Sequence, residues 1–136
     1  MVIIETDILV ALASKTDKHH SEAKNIVSRL KSIKLSPYAL IELDLLISSK
    51  LIVVKLPDFY ERLNDLLMYY NISVLPQRAL HFTKAWKLRQ KYGLTYFDSL
   101  HAAAAIEEND ILVSYDRKYS GVKELKYMYP RDFEIY

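Results

Sequence analysis

Short β-branched runs alternate along the chain with longer stretches whose apolar residues recur every three or four positions. The first run, Val2-Ile3-Ile4, stops at Glu5-Thr6-Asp7, after which Ile8, Leu9, Ala11, Leu12 and Ala13 resume with helical spacing. The pattern predicts a strand feeding a helix through an acidic turn. After Asp17-Lys18-His19-His20-Ser21, the 3, 4 spacing of Ala23, Ile26, Val27 and Leu30 predicts a second helix ending near Ser32. Lys34-Leu35 fits a short strand. Ser36-Pro37 marks a helix start, with Ser as N-cap and Pro at the first helical position. The helix that follows, over residues 38–47, is apolar on almost every side, which assigns it to the core or to an interface. Residues 51–56 fit either a continued helix or a strand. Asp58 and Glu61 stand at the capping-box offset and open a helix carrying Leu63, Leu66, Leu67 and Tyr70.

In the second half, Ile72-Ser73-Val74 is a strand before Pro76, and residues 77–92 form a long helix ended by Gly93 at C′. Thr95 caps a further Ala-rich helix over 96–107, Ile111-Leu112-Val113 is a buried type of strand, and Tyr127-Met128-Tyr129 makes an edge strand before Pro130. Short apolar strands alternating with helices predict an α/β protein whose mostly parallel sheet carries helices on both faces. Ligands in such sheets gather at the carboxyl ends of the strands.

Composition narrows the classes of chemistry. The 136 residues, 51% hydrophobic and 26% charged, suit one globular domain spanning 1–136. Nineteen Lys and Arg against seventeen Asp and Glu leave a net charge of +2, so any basic surface must be local. With no cysteine, thiolate nucleophiles, Cys-ligated zinc and iron-sulfur clusters are excluded. The two glycines, Gly93 and Gly121, stand alone, and neither a P-loop nor a G-x-G-x-x-G turn can be written. The N-terminus has acids and no basic region, and no apolar run approaches the ~20 residues of a membrane span. These features predict a soluble, cytoplasmic protein.

Acids stand just beyond two predicted strands, Glu5 with Asp7 after the first and Asp116 after 111–113, so they are expected along one edge of the sheet. Two more occupy odd places, Glu42 inside Leu40-Ile41-Glu42-Leu43 and Asp98 in the first turn of the Thr95 helix. Convergent carboxylates raise one another's pKa values unless a hard divalent cation relieves the repulsion. Magnesium and manganese prefer oxygen ligands, which matches a chain with no Cys and no paired His. Such a site hydrolyses a phosphodiester with a metal-activated water, best with two cations about 3.5–4 Å apart. Each acid has a plainer reading as well: Asp7 or Thr6 caps the following helix, Asp98 completes a capping box with Thr95, Asp116 is a turn residue, and Glu42 pairs with a buried Arg or Lys.

Four segments carry a resemblance to a known family: 2–12 (Val-Ile-Ile-Glu-Thr-Asp-Ile-Leu-Val-Ala-Leu), 36–42 (Ser-Pro-Tyr-Ala-Leu-Ile-Glu), 93–104 (Gly-Leu-Thr-Tyr-Phe-Asp-Ser-Leu-His-Ala-Ala-Ala) and 111–116 (Ile-Leu-Val-Ser-Tyr-Asp). In order and spacing they resemble the acidic motifs of the PIN-domain nucleases, particularly the small VapC-like toxins. The resemblance implies a PIN-like three-layer α/β/α sandwich and a magnesium- or manganese-dependent endoribonuclease. It implies metal ligands at Glu5, Glu42, Asp98 and Asp116, with Asp7, Thr6 and Ser114 as catalytic residues orienting water. It further implies a homodimer and an antitoxin partner. The family's first acid is normally Asp; Glu5 is one methylene longer, and Asp7 is extra relative to the pattern. A catalytically impaired PIN-like module that binds RNA or protein is therefore the alternative, and a phosphoacceptor receiver domain ranks last.

Substrate contacts follow from charge. Residues 77–93 hold Arg78, Lys84, Lys87, Arg89 and Lys91 and no acid. Lys84, Lys87 and Lys91 share a helical face and offer a phosphate track, and Arg117 and Lys118 add a second basic stretch near the proposed pocket; a solvated helix face is the plainer reading. Eleven tyrosines and Trp86 offer π-faces for unpaired bases. His19 and His20 are assigned to a solvated helix start, and His101 to a satisfied core position near Asp98.

Overall fold

The computed structural model describes residues 1–135. Five strands, β1 (Val2–Ile4), β2 (Ile33–Leu35), β3 (Ser73–Val74), β4 (Ile111–Val113) and β5 (Tyr127–Met128), form one sheet in the order β3-β2-β1-β4-β5. All four pairings are parallel. Six helices connect them: α1 (Thr6–Ala13), α2 (His20–Arg29), α3 (Ala39–Ser48), α4 (Asp58–Tyr69), α5 (Ala79–Tyr92) and α6 (Tyr96–Glu108).

The pleat of β1 sorts the molecule into three layers. Val2 and Ile4 join a core cluster with residues of α1, α2, α3 and α4, whereas Ile3 joins a second cluster with Leu88, Leu100 and the alanines of α6. Both faces of the sheet are therefore covered, as the unbroken apolar strands require. In α6, four consecutive alanines from Ala102 to Ala105 are fully buried. Helix α6 lies closely against α5 and the sheet because its side chains are small. Ala103→Leu should overpack this contact and destabilise the fold by about 1–3 kcal/mol, measurable by urea unfolding.

Several local expectations hold. Gly93 ends α5 with φ of 68°, a left-handed conformation that glycine adopts without strain, and its amide bonds back to Arg89. Others are corrected. Residues 36–38 are a turn, and α3 begins at Ala39 with Tyr38 before it. The hydroxyl of Ser36 is shared between the Tyr38 amide at 3.3 Å and the ring of His101 at 2.6 Å. No capping box opens α4: Pro57 precedes it without a capping bond, and Asp58 pairs with Lys55 at 3.4 Å. Residues 51–56 are neither helix nor strand.

The register aligns the carboxyl ends. Ile4 of β1 lies opposite Leu35 of β2 and Val113 of β4. The next residue of each strand, Glu5, Ser36 and Ser114, therefore sits at one edge, with the Ser36 amide bonded to the Ile4 carbonyl at 2.9 Å. The chain leaves β1 through α1 on one face and enters β4 from α6 on the other. A crevice is expected where connections diverge in this way.

Candidate metal and catalytic site

Glu5 is the N-cap of α1, and its Oε1 accepts the Asp7 amide at 3.2 Å. Neither Asp7 nor Thr6 caps this helix; both stand in its first turn and turn inward. Glu5 Oε2 accepts from the Tyr119 hydroxyl at 2.8 Å and from Ser114 Oγ at 3.3 Å. Asp7 Oδ2 takes bonds from Ser114 Oγ and the Tyr115 amide, both at 2.9 Å, while its Oδ1 is buried without a hydrogen-bond partner. Burial, and then the adjacent Glu5 carboxylate, push Asp7 up to about 8 in spite of these bonds.

Glu42 leaves α3 one turn after its start and resolves its odd placement through His101. Its Oε1 accepts from the Thr6 hydroxyl and from His101 Nε2, the latter at 2.8 Å. No Arg or Lys is the partner. His101 is fully buried on α6, and its Nδ1 faces Ser36 Oγ at 2.6 Å. Burial alone favours a neutral ring, yet the hydrogen bond to Glu42 and the charges of Glu5, Glu42 and Asp98 outweigh it and raise the pKa of His101. Ligand atoms of Glu5, Glu42 and His101 all lie within 4.8 Å of one another, a grouping able to hold a metal ion. His101 is thus a satisfied core histidine and also part of the site; its position three residues after Asp98 on α6 was the signal available in the sequence.

The remaining acids join less directly. The Tyr119 hydroxyl lies 3.1 Å from Asp98 Oδ1 as well as beside Glu5, so one buried phenol bridges the two carboxylates. Asp98 Oδ2 accepts from Thr95 Oγ1 at 2.6 Å, so the threonine serves the acid instead of capping the helix. Lys118 spans Asp98 at 2.8 Å and Asp116 at 3.0 Å. Burial works against charge on Asp98, but bonds from Lys118 and Thr95, the Lys118 charge and Tyr119 together hold its carboxyl below the ordinary value. The hydrogen bonds that Lys118 donates to Asp98 and then to Asp116 raise its own pKa in turn. Asp116 also accepts the Lys118 amide at 3.0 Å and opens the short 3-10 turn Arg117–Gly121, so its plainer role as a turn residue is real.

The structure therefore brings Glu5, Glu42 and His101 together, attaches Asp98 through Tyr119, and leaves Asp116 at the rim on Lys118. Of the basic residues, Lys118 is engaged by the acids, and the Arg117 guanidinium lies 3.8 Å over the ring of Tyr129. Lys84, Lys87 and Lys91 share a flank of α5, where Lys91 pairs with Glu124 at 3.4 Å. Tyr119 carried no signal in the sequence, being one tyrosine of eleven.

A cavity of about 280 Å³ opens beside these groups, lined by Glu5, Thr6, Asp7 and Glu42 among others. A parallel α/β sandwich with an acid-lined cavity at the carboxyl edge of its strands belongs to the class whose sites bind ligands or metals there. The PIN domain family model matches residues 2–125, and the chain belongs to the PIN domain family. Solved structures share the fold. VapBC2 from Rickettsia felis, bound to a DNA fragment from its promoter, superposes with a TM-score of 0.72 at 20% identity, covering 95% of this chain and 98% of that one. Mycobacterium tuberculosis VapC20, a toxin that cleaves the sarcin-ricin loop, gives 0.71 at 16% identity over 88% and 93%. VapBC-1 from nontypeable Haemophilus influenzae gives 0.69 at 16% identity over 96% and 99%. No curated protein sequence matches the chain. No described helix is long and apolar enough to cross a membrane.

Proposed function

We propose that this chain is a divalent-metal-dependent endoribonuclease that hydrolyses phosphodiester bonds of RNA, acting in the cytoplasm as the toxin of a toxin-antitoxin pair. The observation that carries the reading is the meeting of Glu5 and Glu42, from separate elements, at a buried His101 on the edge where β1 and β4 end. Asp7 Oδ1, buried without a partner beside them, adds a donor that the protein itself leaves unused. This oxygen-rich set fits Mg2+ or Mn2+. Glu5, Glu42 and Asp98 would hold the ion, with Asp116 reaching it through water. When bound, it supplies an acidified water and offsets the charge that builds on the phosphate.

The protein's own groups prepare that chemistry. Thr6 fixes the Glu42 carboxylate, Ser114 fixes Asp7 and Glu5, and Tyr119 sets the spacing of Glu5 and Asp98. Asp7, Thr6 and Ser114 orient the attacking water. Lys84, Lys87, Lys91 and Arg117 contact RNA phosphates, together with Lys118, whose ammonium pairs with Asp98 and Asp116 at the rim of the pocket. An antitoxin and a second copy of the chain cover the apolar surface of α3 and the loop after it, where Leu45, Leu51 and Val53 are 53%, 75% and 87% exposed. Leu46 and Ile52 carry that surface into the cavity wall beside the acids.

One arrangement favours a second reading, a PIN module impaired in catalysis that binds RNA or protein. Lys118 and His101 already neutralise three of the acids, and Glu5 reaches farther than the family's Asp. Structured and unstructured RNA, incubated with magnesium or manganese, separates the two. Wild type should cut, while Asp98→Asn and Glu5→Gln, both folded, should cut at least about tenfold more slowly. Equal cutting by all three proteins would refute the nuclease assignment. Weak divalent-ion binding by calorimetry would favour the impaired module.

A further inference from the structure

We propose that His19 is an RNA-contacting residue of the acid pocket, donating an imidazole N–H to a phosphate oxygen of the strand that enters it. The inference rests on the endoribonuclease reading and names a residue that the sequence pattern assigns to a solvated helix start. Ten residues line the cavity, and four of them, Glu5, Asp7, Asp17 and Glu42, are acids. His19 is the one lining residue whose side chain carries a nitrogen donor. An anionic backbone drawn towards several carboxylates is repelled by all of them, so beyond a bound cation it needs a donor on the cavity wall.

The ring of His19 is held ready for that role. It stacks on Tyr115 with centroids 3.8 Å apart and planes 11° from parallel. Its amide donates to Asp17 Oδ1 at 2.8 Å, which fixes the backbone at the entrance to α2. Tyr115 is itself anchored, its amide bonded to Asp7 Oδ2 at 2.9 Å and its ring edge-on to Tyr129 at 5.6 Å. Among the described residues neither imidazole nitrogen has a hydrogen-bond partner. His20, next in sequence, differs: its Nδ1 lies 2.8 Å from the Ala11 carbonyl and ties α2 to α1. A ring immobilised before binding loses little rotamer freedom when it meets its ligand.

The test uses the full chain and a fluorescein-labelled single-stranded oligoribonucleotide. Cleavage is measured with manganese, and binding by fluorescence anisotropy with calcium in its place. His19→Phe keeps a ring on Tyr115 and removes both nitrogens. It should weaken binding and raise KM by about tenfold, the scale of one hydrogen bond to a charged group, with kcat and thermal midpoint nearly unchanged. His19→Gln, which retains a donor, should recover part of the affinity. Binding by His19→Phe equal to wild type overturns the proposal, as does loss confined to His19→Ala, because a base stacked on the ring would then be the contact. If wild type cuts and Asp98→Asn does not while His19→Phe matches wild type, only this inference falls. If wild type neither binds nor cuts RNA, the endoribonuclease reading falls and takes this inference with it.

Discussion

Glu42→Gln should lower RNA cleavage by at least about a hundredfold and weaken manganese binding, with the fold retained. The amide preserves the shape of the side chain, and its oxygen still accepts from Thr6 and from His101 Nε2, the two partners of the native carboxylate. What disappears is one of the two charges that converge with His101 at the strand edge. The ring of His101 then loses the hydrogen bond and part of the field that raise its pKa above the ordinary histidine value. The sign of the linked stability follows. A raised imidazole contributes stability that is fully present below the unfolded pKa of about 6.5 and is lost as pH rises through the higher folded value. Glu42→Gln should flatten that slope, and an NMR titration of His101 should show its midpoint moving down. Cleavage and metal affinity unchanged in Glu42→Gln would remove Glu42 from the machinery.

Asp7→Asn should stabilise the metal-free protein at pH 8.5 by roughly 1–3 kcal/mol while leaving it nearly unchanged at pH 4. Burial and the neighbouring Glu5 push Asp7 up to about 8, whereas in the unfolded chain it ionises near its ordinary value of 3.8. Between those limits the folded state holds a proton that the unfolded state has released. Stability therefore falls as pH rises from about 4 to about 8, the reverse of the usual carboxylate whose folded pKa is depressed. Asparagine keeps an oxygen for Ser114 Oγ and the Tyr115 amide, the two donors to Asp7 Oδ2, and carries no charge to desolvate. Urea unfolding of both proteins across this range measures the difference, and a parallel pH dependence in the two would show that Asp7 ionises normally. A bound divalent cation should reverse the preference, because it stabilises the carboxylate and leaves the amide without that gain.

The elements that frame the site were legible because local signals fix them. Three β-branched residues ending at Glu5 make β1, the left-handed Gly93 ends α5, and Ile111 to Val113 make a strand between polar turns. Acids placed directly after parallel strands in register must share an edge, so the convergence of Glu5 with Asp7 and Ser114 needed little beyond sequence order. Local signals misled where a side chain with capping chemistry bonded to another side chain instead of to the helix's own amides. Ser36 and Thr95 have the chemistry of helix caps, yet Ser36 faces His101 and Thr95 donates to Asp98. The capping-box spacing of Asp58 and Glu61 failed for a similar reason, Asp58 pairing with Lys55 outside the helix.

By itself the sequence determined the alternation of strands and helices, the parallel sheet and the end of that sheet at which the acids collect, because these follow from hydrophobic period and residue order. Tertiary structure alone decided the partners of those acids: His101 for Glu42, Tyr119 between Glu5 and Asp98, Lys118 across Asp98 and Asp116, and His19 in the cavity wall. Charge and hydrogen bonding act through space over a few ångströms, and which groups come within that range is set by the packing of helices far apart in the chain, a distance no local pattern encodes.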